Sequence, residues 1–223
     1  MNQDTTALIH SARQRMAEQP TDNRFLDLLE AGQVSKEHLC RLAGELYHLV
    51  RSDGRSFDLL ASRFSQDPAG DLFSVMAEGE LEALSLLLNF AEALNMNEEQ
   101  LAAYEPEPLA HAYPAYLAQT AAFGTRSDMV LALLANVEES GQHYARAAAA
   151  LESRYGFDEK AIEHFHFFAD TPQDLLDQAV ATLQAGLADG DEPAAAVRTA
   201  WMVNAYENCF WQTLAAPLAT VTD

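Results

Sequence analysis

The pattern of apolar and polar positions along the chain is helical almost throughout. Apolar residues recur three and four apart, and no stretch alternates convincingly as a strand would. Leu8, Ile9, Ala12 and Met16 form a first helix, with Thr5 or Thr6 as the expected cap and Pro20 as the stop. Phe25, Leu26, Leu28 and Leu29 form a short second one ended by Gly32. Ser35 caps a long helix from Lys36 to about Phe64, in which Asp53-Gly54 is expected to cost about 1 kcal/mol and to introduce a kink. After the turn Asp67-Pro68-Ala69-Gly70 comes a leucine-rich helix from Asp71 to Leu94.

Asn97 caps a short helix, and Glu105-Pro106-Glu107-Pro108 is an extended connector. A helix follows from about Leu109 to Phe123, with Pro114 expected to bend it unless it falls in the first turn. Ser127 is the expected cap of a helix from Asp128 to Tyr155, interrupted by Gly141 and closed by Gly156. Asp158 to Phe168, a segment capped by Thr171 that opens on Pro172 and runs to about Leu187, and Pro193 to Ala216 complete the set. Short turns between such segments predict one all-α domain over residues 1–223, a bundle of seven to eight helices.

Charge narrows the partners. The chain carries 13 Lys and Arg against 34 Asp and Glu, a net charge of -21, which repels phosphate backbones and acidic bilayers. Nucleic acid and membrane are therefore not expected partners. Cys40 and Cys209 lie far apart without metal-ligand spacing, the N-terminus lacks a basic segment followed by a long apolar run, and no stretch has the length of a membrane span. A cytoplasmic protein acting on a small molecule is the expectation.

Several polar constellations fall on these helices. Glu45 with His48, and Glu163 with His166, are Glu-x-x-His pairs; Glu78, Glu80 and Glu82 alternate before the leucine-rich stretch; Glu138, Glu139, His143 and Tyr144 cluster on the 128–155 helix; His164, His166 and Asp170 close the next. Such pairs recur by chance on solvated helix faces. The densest pattern is Tyr206-Glu207-Asn208-Cys209-Phe210-Trp211 on the last helix. Glu207 there shares a face with Val203, Asn204, Phe210 and Trp211, and a carboxylate walled by aromatic rings is suited to proton transfer.

That last segment resembles the Tyr-Glu-x-x-Phe-Trp element of the TenA/THI-4 family, the thiaminase II group of the haem-oxygenase-like fold. Arg24-Phe25-Leu26 through Gly32 is similar to the family's opening element, and Tyr113-Pro114-Ala115-Tyr116-Leu117 to its tyrosine segment. The resemblance implies a haem-oxygenase-like bundle, often tetrameric and so a homo-oligomer, that hydrolyses a thiamin-type aminopyrimidine or related heteroaromatic amine. On this reading Glu207 is the general acid, Glu139 the base or nucleophile activator, and Glu45 the contact to an exocyclic amine. Tyr47, Tyr113, Tyr144, Tyr206 and Phe210 bind the substrate, and no cofactor or metal is required.

The chain departs from the pattern at the nucleophile, and the family's Asp-Tyr element on the first long helix corresponds only within one residue to Glu45-Leu46-Tyr47-His48. The family's nucleophilic cysteine, four residues before the tyrosine aligned with Tyr144, is Ser140 here. Two other readings follow from the same fold. A di-iron oxidase pattern keeps Glu80, Glu139, His166 and Asp170 but meets Leu87 and Gln173 where histidines belong. True haem oxygenation offers only His10 as a proximal ligand. A cavity that binds a small molecule without turnover is the remaining alternative.

Overall fold

The computed structural model describes residues 3–19, 22–66 and 68–216, so the stop at Pro20 and the turn residue Asp67 lie outside the described residues. The described residues form ten helices and no strand: α1 (Gln3–Met16), α2 (Arg24–Glu30), α3 (Lys36–Arg63), α4 (Ala69–Ala93), α5 (Glu98–Ala102), α6 (Ala112–Phe123), α7 (Arg126–Tyr155), α8 (Glu159–Ala169), α9 (Gln173–Ala188) and α10 (Pro193–Ala215). The count exceeds the expected seven to eight, since every segment singled out from the pattern is a separate helix, including α2 and α5 of only 7 and 5 residues.

Local chemistry sets most boundaries. The Ser35 side chain accepts from the His38 amide at the start of α3, Asn97 and Gln100 form a reciprocal capping box on α5, and Pro193 opens α10. The cap of α7 is Thr125 rather than Ser127, because Thr125 and Asp128 pair side chain to backbone in both directions and Ser127 falls inside the first turn. Likewise Pro172 takes the cap position of α9 in place of Thr171. Helix α1 begins before Thr5, which is buried within it. Pro114 falls in the first turn of α6, where its missing N–H costs nothing. Gly156 closes α7 in the left-handed conformation at φ 69°.

The two internal glycines expected to weaken helices instead let helices meet. Both α3 and α7 run through them unbroken. A Cβ on Gly54 would stand 3.3 Å from the Glu80 Cβ, so α4 comes close to α3 at this point. A Cβ on Gly141 would stand 3.0 Å from the Ala169 carbonyl oxygen, so the end of α8 comes close to α7. Their helix-propensity cost is offset by close packing at both crossings.

Two groups of buried apolar residues hold the bundle. One gathers Phe25, Leu42, Leu46, Phe90, Phe165 and Trp211 from α2, α3, α4, α8 and α10. The other gathers Phe57, Leu72, Phe73, Leu131, Leu183 and Ala200 from α3, α4, α7, α9 and α10. Fully burying each such aliphatic or aromatic side chain contributes about 1.5–3 kcal/mol. Tyr113 packs against both groups, and the cavity described next opens at the seam between them. Among the described residues no helix is long and apolar enough to cross a membrane.

Candidate active site

A cavity of about 750 Å³ lies between α3, α4, α6, α7, α8, α9 and α10. Its walls follow from helical spacing. On α3, Leu49, Asp53 and Phe57 repeat every four residues and present one stripe; on α7, Leu133, Asn136, Val137, Ser140, Gly141 and Tyr144 recur three and four apart and present another. Helix α10 adds Val203, Glu207, Phe210 and Trp211, the face anticipated around Glu207. Glu80 enters from α4 opposite the glycine that follows Asp53, and Tyr113 enters from the first turn of α6.

Carboxyl groups dominate its electrostatics. Asp53 is 4% exposed, and burial first, then the neighbouring Glu80 and Glu207, push its carboxyl well above the usual range. Burial pushes Glu80 up to about 8. The phenols of Tyr113 and Tyr144 are raised by burial and, secondarily, by these three carboxyl groups. Asp53 Oδ1 and Glu80 Oε2 are buried without a hydrogen-bond partner. No Lys or Arg lines the cavity among the described residues.

The aromatic wall is continuous on the α7–α10 side. Tyr144 lies 5.0 Å from Phe168 and 6.2 Å from Trp211, ring centre to ring centre, and Phe210 stands edge-on to Trp211 at 5.2 Å. Behind Glu207, His143 Nδ1 lies 3.9 Å from Glu207 Oε1, and the imidazole packs edge-on against Trp211.

Of the residues singled out from sequence, Glu207, Tyr113, Tyr144 and Phe210 meet at this cavity, together with Ser140. The other four sit elsewhere. Glu45 accepts hydrogen bonds from the Tyr104 hydroxyl and the Glu107 amide, each at 2.8 Å, and so pins the connector before α6. It lies eight residues before Asp53, about 12 Å along the helix axis, which puts it two turns from the cavity. Tyr47 is 1% exposed, and its hydroxyl accepts from Arg51 at 2.7 Å, away from the cavity.

Glu139 turns toward Asn204, whose amide donates to its Oε2 at 3.0 Å, and it does not join the cavity wall. Tyr206 packs on Tyr116 with ring centres 5.3 Å apart, since it points about 100° around α10 from Glu207. Of the oxidase ligand set, Glu80, His166 and Asp170 line the cavity but Glu139 does not; among the described residues no three His, Cys, Asp or Glu side chains are grouped to hold a metal ion.

Asp53 is a cavity acid that the sequence reading did not single out as a site residue. Beside Gly54 it was expected only to weaken α3. Its signal was a mid-helix acid in register with the apolar Leu49 and Phe57. Ser140, in the place of the expected thiol, has no hydrogen bond to a base among the described residues.

The architecture is shared with solved structures. A TenA family transcription regulator from Silicibacter sp. TM1040 superposes with a TM-score of 0.74 at 18% identity, over 95% of this chain and 96% of that one. A TenA homologue from Pseudomonas syringae pv. tomato str. DC3000 gives 0.72 at 15% identity, over 96% and 92%. A domain of unknown function with a haem-oxygenase-like fold from Shewanella denitrificans OS217 gives 0.56 at 16% identity, over 89% of each chain. These likenesses show the haem-oxygenase-like fold. No curated protein matches the chain. The TENA/THI-4/PQQC family model matches residues 14–212, nearly the whole chain, and the protein belongs to that family.

Proposed function

We propose that the cavity is the active site of a TenA-like hydrolase that cleaves the C–N bond between a thiamin-type aminopyrimidine, or a related heteroaromatic amine, and its leaving group. The observation that carries this reading is the position of Glu207. Its carboxyl stands in an aromatic wall, in the same cavity as the buried Asp53, the half-buried Glu80 and the phenols of Tyr113 and Tyr144. A proton donor in a poorly solvated wall, facing acceptors across a substrate-sized space, is what general acid–base hydrolysis requires.

In this reading the departing nitrogen takes the electron pair of the C–N bond: an amine leaving group receives the Glu207 proton as it departs, and a thiazolium leaves as the neutral ring with Glu207 beside it. A water attacks the exocyclic carbon directly and forms the C–O bond, losing its proton to whichever member of the Asp53–Glu80 pair is ionised. Direct attack by water suits Ser140, which has no base to activate it. Asp53 takes the amine-binding role that sequence reasoning gave to Glu45, because Asp53 is the α3 acid at the cavity. Tyr113, Tyr144 and Phe210 hold the ring between flat apolar faces.

The test is thiamin, and separately its aminomethyl-aminopyrimidine fragment, incubated with the parent protein and with Glu207→Gln, with products read by chromatography. Turnover by the parent and its loss in a variant with unchanged helical circular dichroism is the expected result; full activity in Glu207→Gln overturns the assignment. A second reading, binding without turnover, is favoured by the serine at position 140. It predicts ligand-induced thermal stabilisation of the parent with no product formed.

A further inference from the structure

Glu207 has a neighbour on the side away from the cavity that the steps above leave without a role. His143 stands on α7 one position before Tyr144, so it points about 100° around the helix from that wall residue and does not line the cavity. Its Nδ1 lies 3.9 Å from Glu207 Oε1, the two side chains being 8% and 14% exposed. That distance is longer than a hydrogen bond, and Nδ1 is buried without a hydrogen-bond partner. Glu139, the acid one turn earlier on α7, is taken by the Asn204 amide instead.

The surroundings hold the pair in register. The imidazole packs edge-on against Trp211 with ring centres 5.7 Å apart, and Trp211 is itself fixed against Phe25, Tyr144 and Phe210. One turn before Glu207, the Asn204–Glu139 bond ties α10 to α7. Ring and helices are thus set, and the rotation of the Glu207 side chain is what remains to close the gap. Contacts between catalytic groups commonly tighten in this way once a ligand is bound.

The direction of the contact follows from the ring's own chemistry. A neutral imidazole donates from one nitrogen and accepts at the other. Nε2 is not sealed from solvent, and water satisfies it in either role, so the tautomer is set at the buried Nδ1 end, where the ring meets a carboxyl oxygen. With the proton on Nδ1, the ring donates to Oε1, and the acid proton of Glu207 sits on Oε2, toward the cavity. With Nδ1 bare, the ring draws the acid proton to itself and away from the substrate.

We infer that His143 is a positioning residue for Glu207: its Nδ1–H holds Oε1 and keeps the acid proton on Oε2, directed at the departing nitrogen. As Oε2 gives up that proton to an amine, the carboxylate charge grows on Oε1, and the bond from Nδ1–H strengthens with it. The inference rests on the reading of Glu207 as the general acid.

The tautomer is read by two-bond proton–nitrogen correlation spectra of the 15N-labelled protein at about pH 8.5, well above the ordinary imidazole range. His143 is identified by its absence from the spectrum of His143→Asn. The parent is expected to show a protonated Nδ1, against the Nε2–H form that a free neutral imidazole prefers. Glu207→Leu removes the acceptor at similar size and is expected to return the ring to the Nε2–H form. A bare Nδ1 in the parent, or a ring unchanged in Glu207→Leu, overturns the inference, and neither measurement needs turnover.

Kinetics separates positioning from packing. The substrate is the aminomethyl-aminopyrimidine fragment, whose amine leaves with the Glu207 proton; thiamin, whose ring leaves without it, is the comparison. His143→Leu is expected to lower kcat on the fragment at least about tenfold with KM within about twofold, and to slow thiamin less. His143→Asn puts an amide N–H where Nδ1 stood and is expected to recover most of kcat. Equal loss in the two variants, equal slowing of the two substrates, or parent kcat in His143→Leu overturns the inference; where His143→Leu fails to fold, the spectra of the parent decide. A parent with a protonated Nδ1 that leaves both substrates intact retains the His143–Glu207 contact and loses only the hydrolase reading, whereas one that cleaves the fragment with Nδ1 bare does the reverse.

Discussion

Asn204 on α10 donates its side-chain amide to Glu139 on α7 at 3.0 Å, three residues before Glu207 on the same helix. The contact ties the helix that carries Glu207 to the helix that carries Ser140 and Tyr144. In this contact Glu139 serves as a hydrogen-bond acceptor. Glu139→Ala strands the buried Asn204 amide and is expected to lower stability by about 1–3 kcal/mol in urea unfolding. Glu139→Gln keeps an acceptor oxygen and is expected to leave turnover near the parent value, in contrast to the loss in Glu207→Gln. Steady-state kinetics on the two variants side by side check this.

The Glu45 carboxylate and Gly44 make a mount for Tyr104. A Cβ on Gly44 would come 2.4 Å from the Tyr104 ring, whose hydroxyl donates to Glu45. Gly44→Ala is therefore expected to destabilise by about 1–3 kcal/mol through overpacking. Glu45→Ala is expected to destabilise comparably by leaving the Tyr104 hydroxyl and the Glu107 amide without their acceptor. Neither change should alter ligand affinity at the cavity, and a marked loss of affinity in Glu45→Ala at full folding would return Glu45 to the site.

Glu80 makes stability fall as pH rises. Its carboxyl is raised from 4.5 to about 8 in the folded chain, so between those values the folded state keeps a proton that the unfolded state has released. More protons bound in the native state means a negative slope of stability with pH across that window. Thermal melts from pH 4.5 to 8 should show a shallower decline for Glu80→Gln than for the parent. Identical slopes would mean that the carboxyl is not buried as described.

His164 acts in the opposite direction. Its Nδ1 lies 2.9 Å from the Ala83 carbonyl oxygen, which can only accept, so Nδ1 carries the proton of a neutral ring that links α8 to α4. Burial pushes the imidazole down from 6.5 to about 4, and the unfolded state thus binds the extra proton first as pH falls. The resulting loss of stability runs from about 6.5 down to about 4. His164→Phe is expected to flatten this acid limb in chemical denaturation at pH 6.5, 5 and 4, at the cost of the Ala83 contact.

The helices were legible because their signals are local. Ser35, Asn97, Asp158, Gly156 and Pro193 each act within a few residues, and the structure places them where the pattern predicts. Half of the candidate site was legible for the same reason: the register of one helix puts Val203, Glu207, Phe210 and Trp211 on one face whatever that face meets. That Asp53 rather than Glu45 lines the cavity could not be read from the sequence, because the choice between two acids eight residues apart on α3 depends on which turn α4 crosses, and that crossing is made at Gly54 by a contact 26 residues away in sequence, to Glu80.

What the sequence determined by itself is therefore the all-α character, the boundaries set by caps and breakers, and the aromatic face around Glu207, since each arises from interactions within one turn or two. What only the tertiary structure decided is which acids are buried together. Asp53 and Glu80 are unremarkable polar positions on their own helices; they become an unpaired carboxyl pair only where two helices pack closely enough to exclude water, and Glu139 becomes a staple only because Asn204 faces it from α10.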